Sequence, residues 1–190
     1  MYRESKSTLA VRLLLPTIII GIAWVQEVLD SMFFGGNWIF ATGEEEPLWS
    51  IILSWFSHEN MQHLLGNTII FLPLSWLVLI KGIRNYLSIW GCVLLIELIH
   101  QALWPRPAHG ISGIIYGLLG YLAIIGILER KALSIALTSL TLVVYGYMII
   151  ALLPWNVVPG VSWLSHLSGF SGGILSAVGT YKDQGTRNRY

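Results

Sequence analysis

Gly110-Ile111-Ser112-Gly113-Ile114-Ile115-Tyr116-Gly117 begins a long apolar stretch with a hydroxyl at its threshold. A later stretch, Leu164-Ser165-His166-Leu167-Ser168-Gly169, carries a histidine near its own start. Burying unpaired polar groups in lipid is costly, so a serine and a histidine inside membrane-length segments point to a function.

Composition sets the class. Hydrophobic residues make up 55% of the 190 residues and charged residues 11%, with a mean hydropathy of +0.67. Soluble domains carry about 25% charged residues, so the chain reads as a membrane protein with room for one domain, 1–190. A net charge of +1 provides no basic face for a phosphate backbone, and no nucleic-acid partner is expected. The single cysteine, Cys92, cannot form an internal disulfide and reads as a packing residue.

A bilayer core takes roughly 20 apolar residues per helix. That ruler predicts an all-α membrane protein with six spans, at 9–29, 61–80, 86–103, 112–128, 133–153 and 161–181. The first follows Arg3 and Lys6 as a signal peptide would, but its apolar run is too long and shows no small-residue cleavage site, so it is expected to be retained. Six crossings put ten of the eleven Lys and Arg residues on one side, leaving Arg106 on the other with Glu44-Glu45-Glu46. Cytoplasmic loops carry the excess of cations, so both termini are expected in the cytoplasm, with a bacterial inner membrane as the default host. The external segment, 30–60, holds Phe33, Phe34, Trp38, Phe40, Trp49, Trp55 and Phe56. It is expected to lie folded in the outer interface, with a short amphipathic helix over 48–56. The loop 154–160 is expected to serve as a lid. Trp24, Trp76, Trp90, Trp104, Trp155 and Trp163 mostly sit near predicted span ends and read as an interfacial belt.

With this topology, depth can be compared between spans. His63 and Asn67 are four residues apart on span two, hence on one face. Ser112 with Tyr116 one turn below it, and His166 on span six, fall in the same outer layer. Gly113, Gly117 and Gly120 on span four and Gly169 and Gly173 on span six form stripes of small residues that let two backbones approach closely. Close approach would bring the Ser112 hydroxyl to an imidazole nitrogen, as general-base activation requires. The amides of the first turn after Ser112 lack intrahelical partners and suit an oxyanion, with Asn67 and His63 as side-chain donors. No aspartate lies near His166 in the chain, so a Ser–His dyad is expected, braced by the Tyr116 ring.

The set His63-x-x-x-Asn67, Gly110-x-Ser112-Gly113 with Tyr116, and His166-x-x-Gly169-x-x-x-Gly173 resembles the rhomboid family of intramembrane serine proteases. The resemblance runs from about Phe56 to Gly173. It implies Ser112 as nucleophile, His166 as base and then acid, His63 and Asn67 as oxyanion donors with the Ser112 amide, and Tyr116 packed on His166. Phe56-x-His58 resembles the signature before span two, where the histidine is structural. The resemblance implies a six-span bundle that cleaves transmembrane helices of other proteins near the outer membrane face, without metal or cofactor. Substrate helices and lipids are the implied partners, with entry beside span five, which carries no charged residue. The Trp-Arg pair that many members carry in the long external loop is absent.

Other polar residues admit plainer readings. His58 and His63 are five apart, about 140° round a helix at 100° per residue; the zinc-protease pattern needs four. Glu97 and His100 are expected to be structural, and His109 to be a solvent-accessible loop residue. A rhomboid-like pseudoprotease that binds membrane helices would use the same bundle without cleavage. A transporter fits less well, because the cluster lies near one face and no inverted repeat is evident.

Overall fold

The computed structural model describes residues 6–153 and 162–187. Among them every regular element is helical. α1 (Lys6–Leu29) runs into a single π turn (Asp30–Phe34), followed by a short α2 (Ser50–Ser54). α3 (Met61–Lys81), α4 (Ile83–Leu103), α5 (Ser112–Glu129), α6 (Ala132–Tyr145) and α7 (Trp163–Arg187) complete the bundle, with a 3₁₀ segment (Gly146–Leu152) continuing α6.

Five helical stretches are long and apolar enough to cross a membrane: Ala10–Phe34, Met61–Lys81, Ile83–Leu103, Ser112–Glu129 and Ala132–Leu152. They coincide with the first five expected spans. The expected sixth, 161–181, falls on α7, which is 25 residues long but less apolar. Its serines and glycines dilute its hydropathy, and they are the side that packs: Ser168, Gly169, Gly172, Gly173, Ser176 and Ala177 are buried. The expected lid, 154–160, with Trp155, lies outside the described residues.

α5 is the hub of the bundle. It has no polar face, and a helix that is apolar all round belongs inside; every residue from Gly113 to Ala123 is buried. α7, α6, α4 and α3 all pack on it. The α5–α7 seam is tight for a steric reason. A Cβ at Gly169 would fall on the Gly113 carbonyl, and one at Gly173 on the Gly117 carbonyl, so the expected glycine stripes do meet. α6 is tied to α5 through Thr138, whose Oγ1 accepts the Gly126 N–H at 2.9 Å and donates to the Leu122 carbonyl at 2.6 Å. Farther along, Val143 is 85% exposed.

The segment between the π turn and α3 is folded against the bundle. Asp30 Oδ1 accepts the Trp38 N–H at 2.9 Å, Gln26 Nε2 donates to the Trp38 carbonyl at 2.7 Å, and Ser57 Oγ accepts the Phe40 N–H at 2.9 Å. Gln101 Nε2 donates to Thr42 Oγ1 at 2.8 Å, and the Thr42 amide donates to Ala108. The expected helix over 48–56 is α2, two residues shorter at each end. Its Ile51 and the following Trp55 point inward, while Trp49 and Ile52 stay exposed.

Two tryptophans depart from the interfacial belt. Trp90 packs edge-on against Trp55 and Phe71 within the bundle, and Trp24 Nε1 donates to Thr68 Oγ1 at 3.1 Å. Both lie on faces shared between helices, so packing overrides the preference of the indole for headgroups. Trp49 and Trp104, both 63% exposed, fit the belt.

Candidate active site

The site is built at the start of α5. The chain turns into this helix through Gly110, whose φ of +99° is a conformation that residues with a Cβ rarely adopt. A Cβ there would only touch the His63 ring, at 3.4 Å, and Asn67 Nδ2, at 3.6 Å, so the backbone angle and not lack of space calls for glycine. Gly110 is further held by its amide, which donates to the Ser54 carbonyl at 2.7 Å. Ser112 thus becomes the first residue of α5, half-buried, with its hydroxyl turned to α7.

His166 Nε2 lies 3.0 Å from Ser112 Oγ. The imidazole stacks on the Tyr116 ring, centroids 4.2 Å apart and planes 23° from parallel. Tyr116 is itself fixed, since its hydroxyl donates to the Met148 carbonyl of the 3₁₀ segment at 3.3 Å. Stacking from one residue and a hydroxyl from another leave the ring little freedom, and its Nδ1 is buried without a hydrogen-bond partner. With the proton on Nδ1, Nε2 is free to accept from Ser112.

α3 delivers the donors. Asn60 caps this helix, its side chain accepting the His63 N–H at 2.9 Å, as an N-cap asparagine does. His63 and Asn67 follow on the face toward Gly110, and Asn67 Nδ2 is buried with no hydrogen-bond partner. An unpaired buried amide carries a desolvation penalty, which an acceptor arriving between α3 and α5 would relieve. Every predicted site residue therefore lies in one neighbourhood: Gly110, Ser112, Gly113 and Tyr116 on or before α5, His63 and Asn67 on α3, and His166, Gly169 and Gly173 on α7.

Of the remaining histidines, His109 differs from expectation and His58 does not. His109 is half-buried, not a free loop residue, with its ring 6.3 Å from that of His63; burial lowers its pKa, against a smaller opposing pull from Glu59. His58 is fully buried, its Nδ1 3.4 Å from the Phe56 carbonyl and its ring 5.2 Å from that of His63. Burial first, and then His63, push its pKa down to about 4. It is a neutral packing residue, in line with the structural role implied by Phe56-x-His58.

Three neighbours of the site escaped the sequence reading of roles. Glu97 Oε2 accepts the Trp55 Nε1–H at 2.8 Å, and Glu97 with Ser165 surrounds Gly113. Met148 holds Tyr116 through a backbone carbonyl. Only Glu97 left a trace in the sequence, as a carboxylate within a span; a backbone acceptor leaves none.

Residues 45–183 match the Rhomboid domain family. An uncharacterized protein of Mycobacterium tuberculosis (strain ATCC 25618 / H37Rv) is 28% identical over 173 residues, covering 83% of this chain and 70% of its own length. One from Mycobacterium leprae (strain TN) is 30% identical over 141 residues, covering 70% of this chain and 56% of its own. A protein of Acanthamoeba polyphaga mimivirus whose name puts it with the rhomboids is 30% identical over 161 residues, covering 80% of this chain and 85% of its own. The matched region takes in α2 to α7 and so every residue of the site, and on that extent of likeness the chain belongs to the rhomboid family.

Proposed function

We propose that this protein is an intramembrane serine endopeptidase that cleaves transmembrane segments of other proteins near the outer membrane face. The observation that carries the reading is the 3.0 Å separation of Ser112 Oγ and His166 Nε2 with the imidazole stacked on Tyr116. Ser112 Oγ attacks the scissile carbonyl carbon while its proton passes to His166 Nε2. The carbonyl oxygen becomes an oxyanion, met by the Ser112 amide and the side chains of His63 and Asn67. The C–N bond then breaks, His166 gives the proton to the leaving amine, and an acyl ester remains on Ser112. Water attacks this ester, His166 takes its proton, and collapse releases the new carboxyl terminus and restores the serine. The chemistry draws on side chains, the Ser112 amide and water, and calls for no metal or cofactor.

The proposal includes six crossings in one rhomboid domain, with both termini in the cytoplasm. α7 has ample length for the sixth crossing, since roughly 20 residues suffice, and its polar residues are turned to helices and not to lipid. The distribution of Lys and Arg supports the orientation, and a bacterial inner membrane is the proposed host. Substrate helices reach Ser112 beside α6 and its 3₁₀ continuation, whose outward residues Leu140, Val143 and Tyr147 are exposed.

Ser112→Ala and His166→Ala should each lower cleavage of a model transmembrane substrate at least about 10³-fold. Their melting temperatures should stay close to that of the wild type. Labelling by a fluorophosphonate should need both residues. Cleavage at the wild-type rate by both variants refutes the reading in favour of a helix-binding pseudoprotease.

A further inference from the structure

We infer that Glu97 is a positioning residue for the Ser112–His166 pair, the carboxylate that sets the first turn of α5 against α7 and the segment after α2. The inference rests on the protease reading above and adds a residue to it. Glu97 lies on α4 and is 5% exposed. Its Oε2 accepts the Trp55 Nε1–H at 2.8 Å. Its Oε1 occupies the space that a Cβ on Gly113 would need, and Ser165 Oγ lies 3.6 Å from the same point. One carboxylate therefore abuts the residue after Ser112, lies beside the residue before His166, and holds Trp55 of the segment after α2.

Stability alone does not account for a carboxylate there. An apolar side chain would fill the space without the desolvation penalty of a buried acid. Geometry accounts for it. The separation of Ser112 Oγ and His166 Nε2 is set by how two backbones approach, and contact between the Gly113 and Gly169 backbones limits that approach only from below. Glu97 bears on the same turn from the α4 side, and its bond to Trp55 keeps the carboxylate from swinging away. Neither Ser112 nor His166 is hydrogen-bonded to Glu97, so it acts through Gly113 and Ser165 and touches no reacting atom. A small displacement of a catalytic pair lowers rate far more than binding.

The experiment compares the full-length wild type with Glu97→Gln, Glu97→Leu, Trp55→Phe and the Glu97→Leu/Trp55→Phe double variant. It reads kcat and KM on a model transmembrane substrate, the rate of fluorophosphonate labelling, and the melting temperature. Glu97→Gln keeps an oxygen to accept the indole N–H and should hold kcat within about threefold. Glu97→Leu should lower kcat by about 10- to 100-fold with KM within about twofold, and labelling should slow in proportion. The double variant should be no slower than Glu97→Leu, because one interaction is lost in both. Should Glu97→Leu fail to fold, Trp55→Phe decides: a severalfold fall in kcat at unchanged KM supports the role. Wild-type kcat in Glu97→Leu (or in Trp55→Phe, where that variant decides), or equal losses in Glu97→Gln and Glu97→Leu, overturns it. Ser112→Ala separates the two levels: if it is inactive while the Glu97 variants are unaffected, only the positioning role falls; if it is active, the protease reading falls.

Discussion

At the scale of single residues, the site depends on polar atoms held where no protein partner satisfies them. Asn67 Nδ2 is buried and unpaired, which only an incoming acceptor would relieve. Asn67→Ala should therefore lower kcat by about 10²- to 10³-fold, as loss of an oxyanion donor does, while raising the melting temperature or leaving it unchanged. A steady-state assay beside a thermal melt checks both. His58 shows the opposite case of a residue buried to be neutral. Its pKa is pushed down to about 4, so the folded state binds its proton less readily than the unfolded chain, in which a histidine titrates near 6.5. The resulting stability is fully present above about pH 6.5 and is lost as pH falls toward 4, by about 3 kcal/mol in all. The melting temperature should drop between pH 7 and pH 4.5, and His58→Gln should flatten that dependence.

Helices and their contacts carry the next level. The α5–α7 seam brings Ser112 and His166 together because glycine carbonyls and glycine Cα atoms share it. Gly169→Ala would drive a methyl into the Gly113 carbonyl, a backbone atom that cannot swing aside. A loss of about 1–3 kcal/mol is expected from overpacking, with cleavage falling further than stability because the seam sets the Ser–His distance. Gly179→Ala on the same helix has nothing within 4 Å of the new methyl. It should leave activity unchanged and raise stability by up to about 1 kcal/mol, through helix propensity alone. Melting and cleavage measured on the two variants test whether packing or propensity governs α7. α6 contrasts with this seam: it is hydrogen-bonded near Gly126, its 3₁₀ continuation is held to Tyr116 through Met148, and its outward face between them is exposed at Val143.

On the scale of the whole molecule, the end opposite the site is closed by charge. Lys81 Nζ donates to the Glu129 carboxylate and, at 2.9 Å, to Ser134 Oγ, joining the ends of α3 and α5 to the start of α6. Arg84 pairs with Asp183 at 2.9 Å, but that pair is largely exposed and contributes little. The Lys81 pair is buried, with side-chain exposures of 10% and 1%. Lys81→Met strands the carboxylate and should lower stability by about 3 kcal/mol or more. Lys81→Met/Glu129→Leu should recover much of the loss, and chemical denaturation in detergent would read both. The end of the bundle opposite the site is thus clamped by a buried ion pair.

Helix positions were legible in the chain, as were the candidate site residues, because hydropathy and the 3.6-residue period are local properties that need no knowledge of neighbours. His63 and Asn67 share a face by spacing alone, and Gly110 announces a turn before Ser112. α7 was legible by pattern and length, though its serines and glycines lower its hydropathy, and Ser168, Gly169, Gly172, Gly173 and Ser176 among them are buried against other helices. The inward packing of Trp24 and Trp90, the burial of His109, and the joining of Glu97 to Trp55 depended on contacts between distant segments. So did the 3.0 Å from serine to imidazole: residues 112 and 166 meet only because two glycine backbones, far apart in the chain, can touch.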